Sequence, residues 1–165
     1  MTANRLAAGL TLVAAVAGFA IAAYLTSVHY ASVPLTCSGN GSVIDCERVL
    51  TSSYSEVLGI PWSVGGLVWF AVSGGFALLI LTRRPEPAWL HPAQLAWAVL
   101  GLATVFYLVG VEATAIGRIC LWCTGLHILI VTTLLATVLR TPDEVDMMGR
   151  EQSAAPTKTL TRQPD

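Results

Sequence analysis

Charged residues are scarce in this 165-residue chain: Asp, Glu, Lys and Arg together make up 12%, whereas soluble domains carry about 25%. The few charges are also unevenly placed, because four long blocks contain none of them. The net charge of −1 provides no basic surface for nucleic acid. With hydrophobic residues at 55%, the composition excludes an ordinary soluble domain and indicates lipid as the main solvent.

The four uncharged blocks predict membrane-spanning helices. An α-helix needs about 20 apolar residues to cross a hydrocarbon core about 30 Å thick, and each block is long enough. The blocks lack the alternation of barrel strands, so helices remain the structure that satisfies a backbone in lipid. We therefore predict an all-α membrane protein, a four-transmembrane-helix bundle. Its helices should span about residues 6–28, 62–82, 92–112 and 119–139.

The segment 29–61, between the first two spans, combines a loop with a shorter helix. Pro, Gly, Ser and Asn dominate its first part, as in a loop. From Asp45 onward, apolar residues recur at helical spacing, and Asp45 suits the N-cap position. Gly59 and Pro61 suit the end of that helix. We therefore predict a short amphipathic outer helix that covers one end of the bundle.

The basic residues predict the orientation of the bundle. Cytoplasmic loops carry an excess of Lys and Arg. With the N-terminus inside, seven of the nine basic residues are cytoplasmic, and only Arg48 and Arg118 lie outside. We expect a multi-pass protein of the cell membrane with both termini in the cytoplasm, and its first block is too long for a cleaved signal peptide. Residues 1–140 form the predicted membrane domain, and the polar tail 141–165 is predicted to be disordered.

All four cysteines fall on the predicted outer side. Cys37 and Cys46 lie in the outer segment, and Cys120 and Cys123 form a CxxC motif at the start of the last helix. Disulfides persist in extracytoplasmic compartments, and helix N-termini favour the thiolate that attacks a disulfide. The pattern therefore indicates thiol–disulfide exchange. Three other interpretations stay open: a purely structural disulfide in the outer segment, zinc binding by the four cysteines, and a CxxC of incidental membrane cysteines.

The pattern Cys37-x8-Cys46-ERVLTSS, followed by GIPWS and by Cys120-Leu-Trp-Cys123-TGLH, resembles the vitamin K epoxide reductase family in its bacterial disulfide-forming branch. The similarity covers roughly residues 6–140. It implies a four-helix bundle around a quinone, menaquinone or ubiquinone, capped by the short outer helix. The implied activity is reoxidation of a separate thioredoxin-like, DsbA-like extracytoplasmic protein, with the electrons passed through two cysteine pairs to the quinone.

The resemblance implies a role for each cysteine. Cys37 would exchange with the soluble partner, and Cys46 would form a transient bond to Cys120. Cys123 would be the cysteine beside the quinone ring. The resemblance does not establish that the two pairs touch, because Cys46 and Cys120 are far apart in the chain.

Three further positions are implied to bind the quinone. Ser52 matches the family's Ser/Thr hydroxyl near that site. His127 stands where vertebrate members carry a Tyr, and it follows Cys123 by four positions, on the same helix face. Pro61 stands where vertebrate members carry an Asn that bonds a quinone carbonyl. The departure at Pro61 favours plain quinone reduction over epoxide reduction.

For the other polar and aromatic residues of the spans, we predict positions at the membrane interface, in packing or in the pocket wall. Glu112, near the outer end of the third helix, is expected to reach the interface. Most aromatic side chains are expected in the interface belt or in packing, and those near the outer leaflet are candidates to line a quinone pocket. The aromatic residues concerned are Trp62, Trp69, Trp97, Phe106, Tyr107 and Trp122.

The sequence leaves two other functions open. A DsbB-type disulfide oxidoreductase of separate lineage runs the same reaction, although that family usually places its CxxC in the first outer segment. A cysteine-dependent heavy-metal transport or binding membrane protein is the alternative from another class. Such a protein should have thiols along a path across the membrane, and here no cysteine lies toward the inside. No bound metal and no nucleic acid are expected.

Overall fold

The described part of the chain is mostly helical. The computed structural model describes residues 3–31, 43–83 and 86–140, so that Cys37 and the tail 141–165 lie outside the described residues. Its helices are α1 (Ala3–Ala31), α2 (Cys46–Leu50), α3 (Trp62–Thr82), α4 (Leu90–Val111) and α5 (Leu121–Val138). A π-helical turn (Glu112–Ile116) continues α4, and two short antiparallel strands are β1 (Glu56–Val57) and β2 (Ile60–Pro61).

Four of these helices are long and apolar enough to cross a membrane. They are α1, α3, α4 together with its π-helical turn, and α5. The predicted fold class is thereby confirmed, including a short helix between the first two spans. Two spans are longer than predicted, because α1 runs to Ala31 and the third span reaches Ile116. Residues 113–116, which lie between the predicted third and fourth spans, are therefore helical.

The packing of the four spans leaves one gap. Helix α1 packs along α3 and α5, and α4 packs on α5, whereas α3 and α4 touch each other little. Small residues allow α1 and α3 to approach closely. A methyl group added to Gly66 would meet the Ala22 Cβ at 3.4 Å, and the Phe70 ring rests against Gly18. The tight α1–α3 contact and the loose α3–α4 contact leave space between α3 and α4.

The two ends of the bundle carry different side chains. One end holds Cys46, Cys120 and Cys123 together, and we call it the cysteine end. The other end holds Arg140 and the connection between α3 and α4, and we call it the arginine end. The spans therefore connect a cysteine-lined region with a region built around a buried cation.

At the arginine end, a buried guanidinium is bound by two partners. Arg140 donates to both carboxylate oxygens of Glu86, at 2.6 and 2.7 Å, and to the Gln94 Oε1 at 3.1 Å. Arg140 and Gln94 are each 3% exposed. Since a buried charge is tolerated only with such partners, this network ties the end of α5 to the start of α4.

The segment before α3 differs from the prediction of one longer helix. Only Cys46–Leu50 is helical, and Asp45 caps it by accepting a hydrogen bond from the Arg48 N–H at 3.0 Å, as predicted. Beyond it, the hydroxyls of Ser52 and Ser55 each donate to the carbonyl three residues earlier, at 2.8 Å. Such local bonds compete with a helical backbone, which explains why the apolar spacing alone overestimated the helix.

A β-hairpin occupies the rest of that segment. Leu58 and Gly59 form its two-residue turn with positive φ angles of 54° and 77°, as a type I′ turn requires. Gly59 therefore reverses the chain between two strands and does not end a helix, which corrects its predicted role. The second strand runs directly into α3, where Pro61 is the N-cap residue.

Candidate functional site

Two segments that are far apart in sequence meet at the cysteine end. Ile44 forms a parallel bridge with Ile119, and backbone hydrogen bonds of 3.0 and 3.1 Å on either side of Ile44 hold the pairing. Because α2 and α5 begin just after the paired residues, Cys46 and Cys120 fall into one buried cluster. They are 1% and 0% exposed. The structure thus brings together two cysteines whose proximity the sequence left open.

Cys120 is the N-cap residue of α5, which begins at Leu121 and not at 119 as predicted. Its Sγ accepts a hydrogen bond from the Cys123 N–H at 3.3 Å. Hydrogen bonding from the Cys123 side chain lowers the pKa of the Cys120 thiol, against the opposing effect of burial. Cys120 and Cys123 are free thiols, whereas Cys46 is disulfide-bonded. Cys120 is therefore the member of the CxxC that more readily forms a thiolate.

A cavity of about 470 Å³ opens in the gap between α3 and α4. Ser52, Pro61, Cys123 and His127 all line it, so the structure brings together four of the seven predicted site residues. Its walls are mostly apolar, and its size lies in the range of about 300–1,000 Å³ of small-molecule sites. The cavity reaches Cys123, while Cys46 and Cys120 lie in the adjoining cluster.

Two polar groups on the cavity wall, the Trp62 indole N–H and the His127 imidazole, form no hydrogen bond with a described residue. The Trp62 Nε1 is buried without a hydrogen-bond partner, and His127 is 8% exposed with no hydrogen bond to the described part of the chain. The Ser52 hydroxyl already donates to the Val49 carbonyl, so its oxygen remains as an acceptor. A buried donor without a partner costs about 1–3 kcal/mol. Trp62 and His127 therefore fit a ligand with carbonyl acceptors, such as a quinone.

Two tryptophans join the helices on either side of the gap. The indole of Trp69 donates to the Trp97 carbonyl, and that of Trp97 to the Trp69 carbonyl, each at 3.2 Å. Both line the cavity, together with Trp62. Phe106 and Tyr107 are instead 69% and 51% exposed and do not line it. The expectation that aromatic residues near the outer leaflet line the pocket fits Trp62 but not this division, because Trp97 lies nearer the arginine end of its span than Phe106 and Tyr107 do.

Glu112 departs most from the prediction for its position. It was expected to reach the interface, but it is only 7% exposed. It opens the π-helical turn, a feature often found at functional sites, and Gly117, with a φ of 65°, follows that turn. Its carboxylate interacts electrostatically with the Cys120 backbone N–H and with the Cys123 side chain. An acidic residue in an otherwise uncharged span was the signal for a functional residue that the sequence offered.

The model of the vitamin K epoxide reductase family matches residues 10–138. The protein belongs to the vitamin K epoxide reductase family. Members of this family are oxidoreductases, so the chain is a membrane oxidoreductase acting on thiols and disulfides. Family membership assigns the chain to this lineage and not to the DsbB-type lineage. Among residues 3–31, 43–83 and 86–140, no group of three or more His, Cys, Asp or Glu side chains is arranged to hold a metal ion.

Proposed function

We propose that this member of the vitamin K epoxide reductase family reoxidises a separate thioredoxin-like, DsbA-like extracytoplasmic protein and passes the electrons to a membrane quinone. The observation that carries the proposal is the continuity of the site. Cys46 and Cys120 share one buried cluster, and Cys123 leads from it to an apolar cavity. A path of thiols that ends at a ligand-sized cavity suits electron transfer from a protein dithiol to a small lipid-soluble acceptor.

The first step is exchange with the soluble partner. The partner's dithiol becomes a disulfide, and the Cys37–Cys46 disulfide is reduced to two thiols, so that two electrons enter the outer pair. Cys37 carries the partner contact in this scheme, and it lies outside the described residues. The disulfide-bonded state of Cys46 supports its membership of an exchanging pair.

The second step is the relay between the two pairs. The Cys46 thiolate attacks the Cys120 Sγ of an oxidised CxxC, forming the Cys46–Cys120 bond and releasing Cys123. Cys37 then attacks Cys46, which restores the outer disulfide and releases Cys120. A leaving thiol departs faster when its pKa is low, and the pKa of Cys120 is lowered by hydrogen bonding from Cys123. The product is an oxidised outer pair beside a reduced CxxC.

The third step takes place at the cavity. A bound quinone supplies an acceptor for two electrons and two protons. Trp62 and His127 would hold its carbonyl oxygens, because both side chains line the cavity and the Trp62 indole N–H has no partner among the described residues. Ser52 and Pro61 shape the wall on the side of the hairpin. Restoring the Cys120–Cys123 disulfide returns the CxxC to its starting state.

The orientation that we propose places the cysteine end outside and both termini in the cytoplasm. Arg48 and Arg118 flank the cysteine end, and the remaining basic residues fall toward the arginine end or the termini, as the positive-inside rule requires. The membrane domain would then be 1–140, followed by a disordered cytoplasmic tail, 141–165. A C-terminal alkaline phosphatase fusion should be inactive in intact cells, and an active fusion would reverse the orientation.

The main test is quinone reduction by the full chain in membranes supplied with a reduced dithiol partner. Cys123→Ala should abolish turnover, because no thiol would remain at the cavity. Glu56→Gln, a substitution in the hairpin, serves as the control and should turn over at the rate of the unmodified protein. Undiminished turnover by Cys123→Ala would end the proposal.

The relay is tested by trapping its intermediate. In a protein carrying Cys37→Ala and Cys123→Ala, the two resolving cysteines are absent, so a Cys46–Cys120 bridge should accumulate and be detected by mass spectrometry. Bridging of Cys46 to another protein, with Cys120 left free, would contradict the relay.

A further inference from the structure

The buried carboxylate of Glu112 has no role in the scheme so far. No cation of the described residues pairs with it, unlike Glu86, whose carboxylate is paired with Arg140. Ionisable residues within a membrane span are costly and commonly belong to proton relays or ligand paths. The absence of a paired cation at Glu112 therefore argues against a purely structural role.

The surroundings of Glu112 connect the thiols with two cavities. Glu112 lines the proposed quinone cavity together with Cys123 and His127, and its carboxylate interacts electrostatically with the Cys123 side chain. Glu112 and His127 also line a second cavity of about 630 Å³, which includes Arg118 and Thr124. The two ionisable side chains thus stand in the wall between the proposed quinone cavity and a second space.

The chemistry at the CxxC requires a proton acceptor at this place. In the reduced pair, the Cys120 Sγ accepts a hydrogen bond from the Cys123 N–H at 3.3 Å, and hydrogen bonding to a thiolate favours the thiolate on Cys120 over one on Cys123. Cys123, however, is the cysteine that lines the cavity, and only a thiolate acts as a nucleophile. Cys123 must therefore lose a proton to a nearby group before it reacts.

We propose that Glu112 is the base that takes the proton from Cys123 and returns it toward the cavity by way of His127. This inference rests on the proposed function. In the transfer, the S–H bond of Cys123 breaks and an O–H bond forms on Glu112, and no electrons move. Oxidation of both thiols to the disulfide releases two electrons and two protons, which equals what reduction of a quinone to a quinol consumes.

Among the described residues, the titratable and charged groups on the elements packed around Glu112 are few. Helix α2, which packs on the π-helical turn, carries Glu47 and Arg48 beside Cys46. From α5 and its cap the groups are Cys120, Cys123 and His127, and from the connection after the π-helical turn there is Arg118. In a protein that retains Cys123 as its single cysteine, the exchangeable proton is therefore shared mainly between Cys123 and Glu112. Such a protein isolates the transfer from the rest of the relay.

The first experiment needs no quinone. In the full chain with Cys37, Cys46 and Cys120 replaced by Ala, the rate of Cys123 alkylation by a small membrane-permeable maleimide is measured against pH by mass spectrometry. With Glu112 present, the proton moves within the site, so the rate should change little across the neutral range. In Glu112→Gln it should fall about tenfold for each unit of decreasing pH, because the proton must then leave to solvent.

The second experiment measures quinone reduction by the protein with all four cysteines. Loss of a general base typically costs about 10²–10⁴-fold, so Glu112→Gln should turn over at least about 100-fold more slowly. Glu112→Asp keeps a carboxylate and should recover part of that loss. Glu56→Gln makes the same chemical change on the hairpin and should keep the unmodified rate and alkylation profile.

The outcomes separate the proton transfer from the proposed function. Identical alkylation profiles for the single-cysteine protein with and without Glu112→Gln would overturn the proton transfer, as would full turnover by Glu112→Gln. If Cys123→Ala also keeps full turnover, the proposed function fails as well. If Cys123→Ala is inactive while Glu112→Gln is fully active, only the proton transfer fails. Glu112→Asp controls for misfolding. If Glu112→Gln is folded but slow and Glu112→Asp is faster, the results support Glu112 as the base.

Discussion

At the arginine end, the buried Arg140 guanidinium makes three hydrogen bonds to Glu86 and Gln94, whereas at the cysteine end the buried Glu112 carboxylate meets a thiol and a backbone N–H. Both groups are almost fully buried, at 3% and 7% exposure. Only the first has a partner of opposite charge among the described residues. Pairing with Glu86 therefore offsets the cost of burying the Arg140 charge, whereas no such pair offsets the cost of burying the Glu112 carboxylate.

This contrast distinguishes a buried charge of the scaffold from one of the site. The Arg140–Glu86 ion pair holds the α3–α4 connection to the end of α5, and no cavity residue takes part in it. Glu112 instead lines the cavity shared by Cys123 and His127. We therefore expect substitutions at the arginine end to change stability, and substitutions of Glu112 to change turnover.

The largest effect on stability is expected from Arg140→Met. It leaves the Glu86 carboxylate buried without its cation, and breaking a buried pair costs about 3–5 kcal/mol. Thermal unfolding in detergent should show this loss, while the turnover of each remaining folded molecule stays unchanged. Adding Glu86→Gln should recover much of the stability, since no charge is then left alone. If the protein with both Arg140→Met and Glu86→Gln is as unstable as Arg140→Met alone, Arg140 stabilises the protein by packing and not by its charge.

A smaller effect is expected at the end of the π-helical turn. Gly117 has a φ of 65°, and a residue with a Cβ in this left-handed region costs about 1–2 kcal/mol. Gly117→Ala should lower the unfolding temperature and, because the turn directs Glu112, should also slow quinone reduction. Gly110→Ala is the matched control, since Gly110 is helical and a Cβ there meets nothing within 4 Å. If Gly117→Ala and Gly110→Ala have equal effects, the left-handed conformation of Gly117 does not explain the loss.

A still smaller change in stability is expected from Glu112→Leu. The substitution leaves no cation behind, and the hydrogen bonds lost are each worth about 1 kcal/mol net, offset by relief from burying a carboxylate. The unfolding free energy should therefore stay within about 1 kcal/mol of the original, although turnover falls. A loss comparable to that of Arg140→Met would place Glu112 in the scaffold and erase the contrast between the two ends.

The smallest effect is expected at the surface of the cysteine end. The His29 Nε2 lies 3.2 Å from the Glu56 Oε1, with side-chain exposures of 22% and 42%. Exposed pairs of this kind contribute about 0–1 kcal/mol. Glu56→Gln should therefore leave thermal stability nearly unchanged at physiological salt. A clear loss of stability would mean that the hairpin holds α1 in place through this pair.

Local features of the sequence were sufficient for much of the fold. The absence of charge over four long blocks predicted the four spans, because the length of an apolar run decides whether it can cross lipid. Asp45 was correctly predicted as an N-cap, since capping depends on residues a few positions away. The hairpin was not predicted, because the apolar spacing up to Leu58 suits a helix, whereas the hydroxyls of Ser52 and Ser55 bond to nearby carbonyls and compete with a helical backbone.

The candidate site was only partly within reach of the sequence. Helical spacing placed Cys123 and His127 on one face, and both line the cavity. The unpartnered indole of Trp62 was grouped with the other aromatics, since nothing local marks a nitrogen as lacking a partner. Glu112 was predicted to reach the interface because it lies near the outer end of its span, and nothing within that segment indicates that the side chain is buried.

The spans, the cap at Asp45 and the cysteines that are candidates for thiol–disulfide exchange could all be identified from the chain alone, because each depends on chemistry within one segment. The meeting of Cys46 with Cys120 required the folded bundle, since it depends on the pairing of Ile44 with Ile119. The same holds for Glu112, whose carboxylate faces Cys123 and not lipid. Both arrangements depend on contacts between segments that are distant in the chain, and the spacing of residues along one segment carries no information about such contacts.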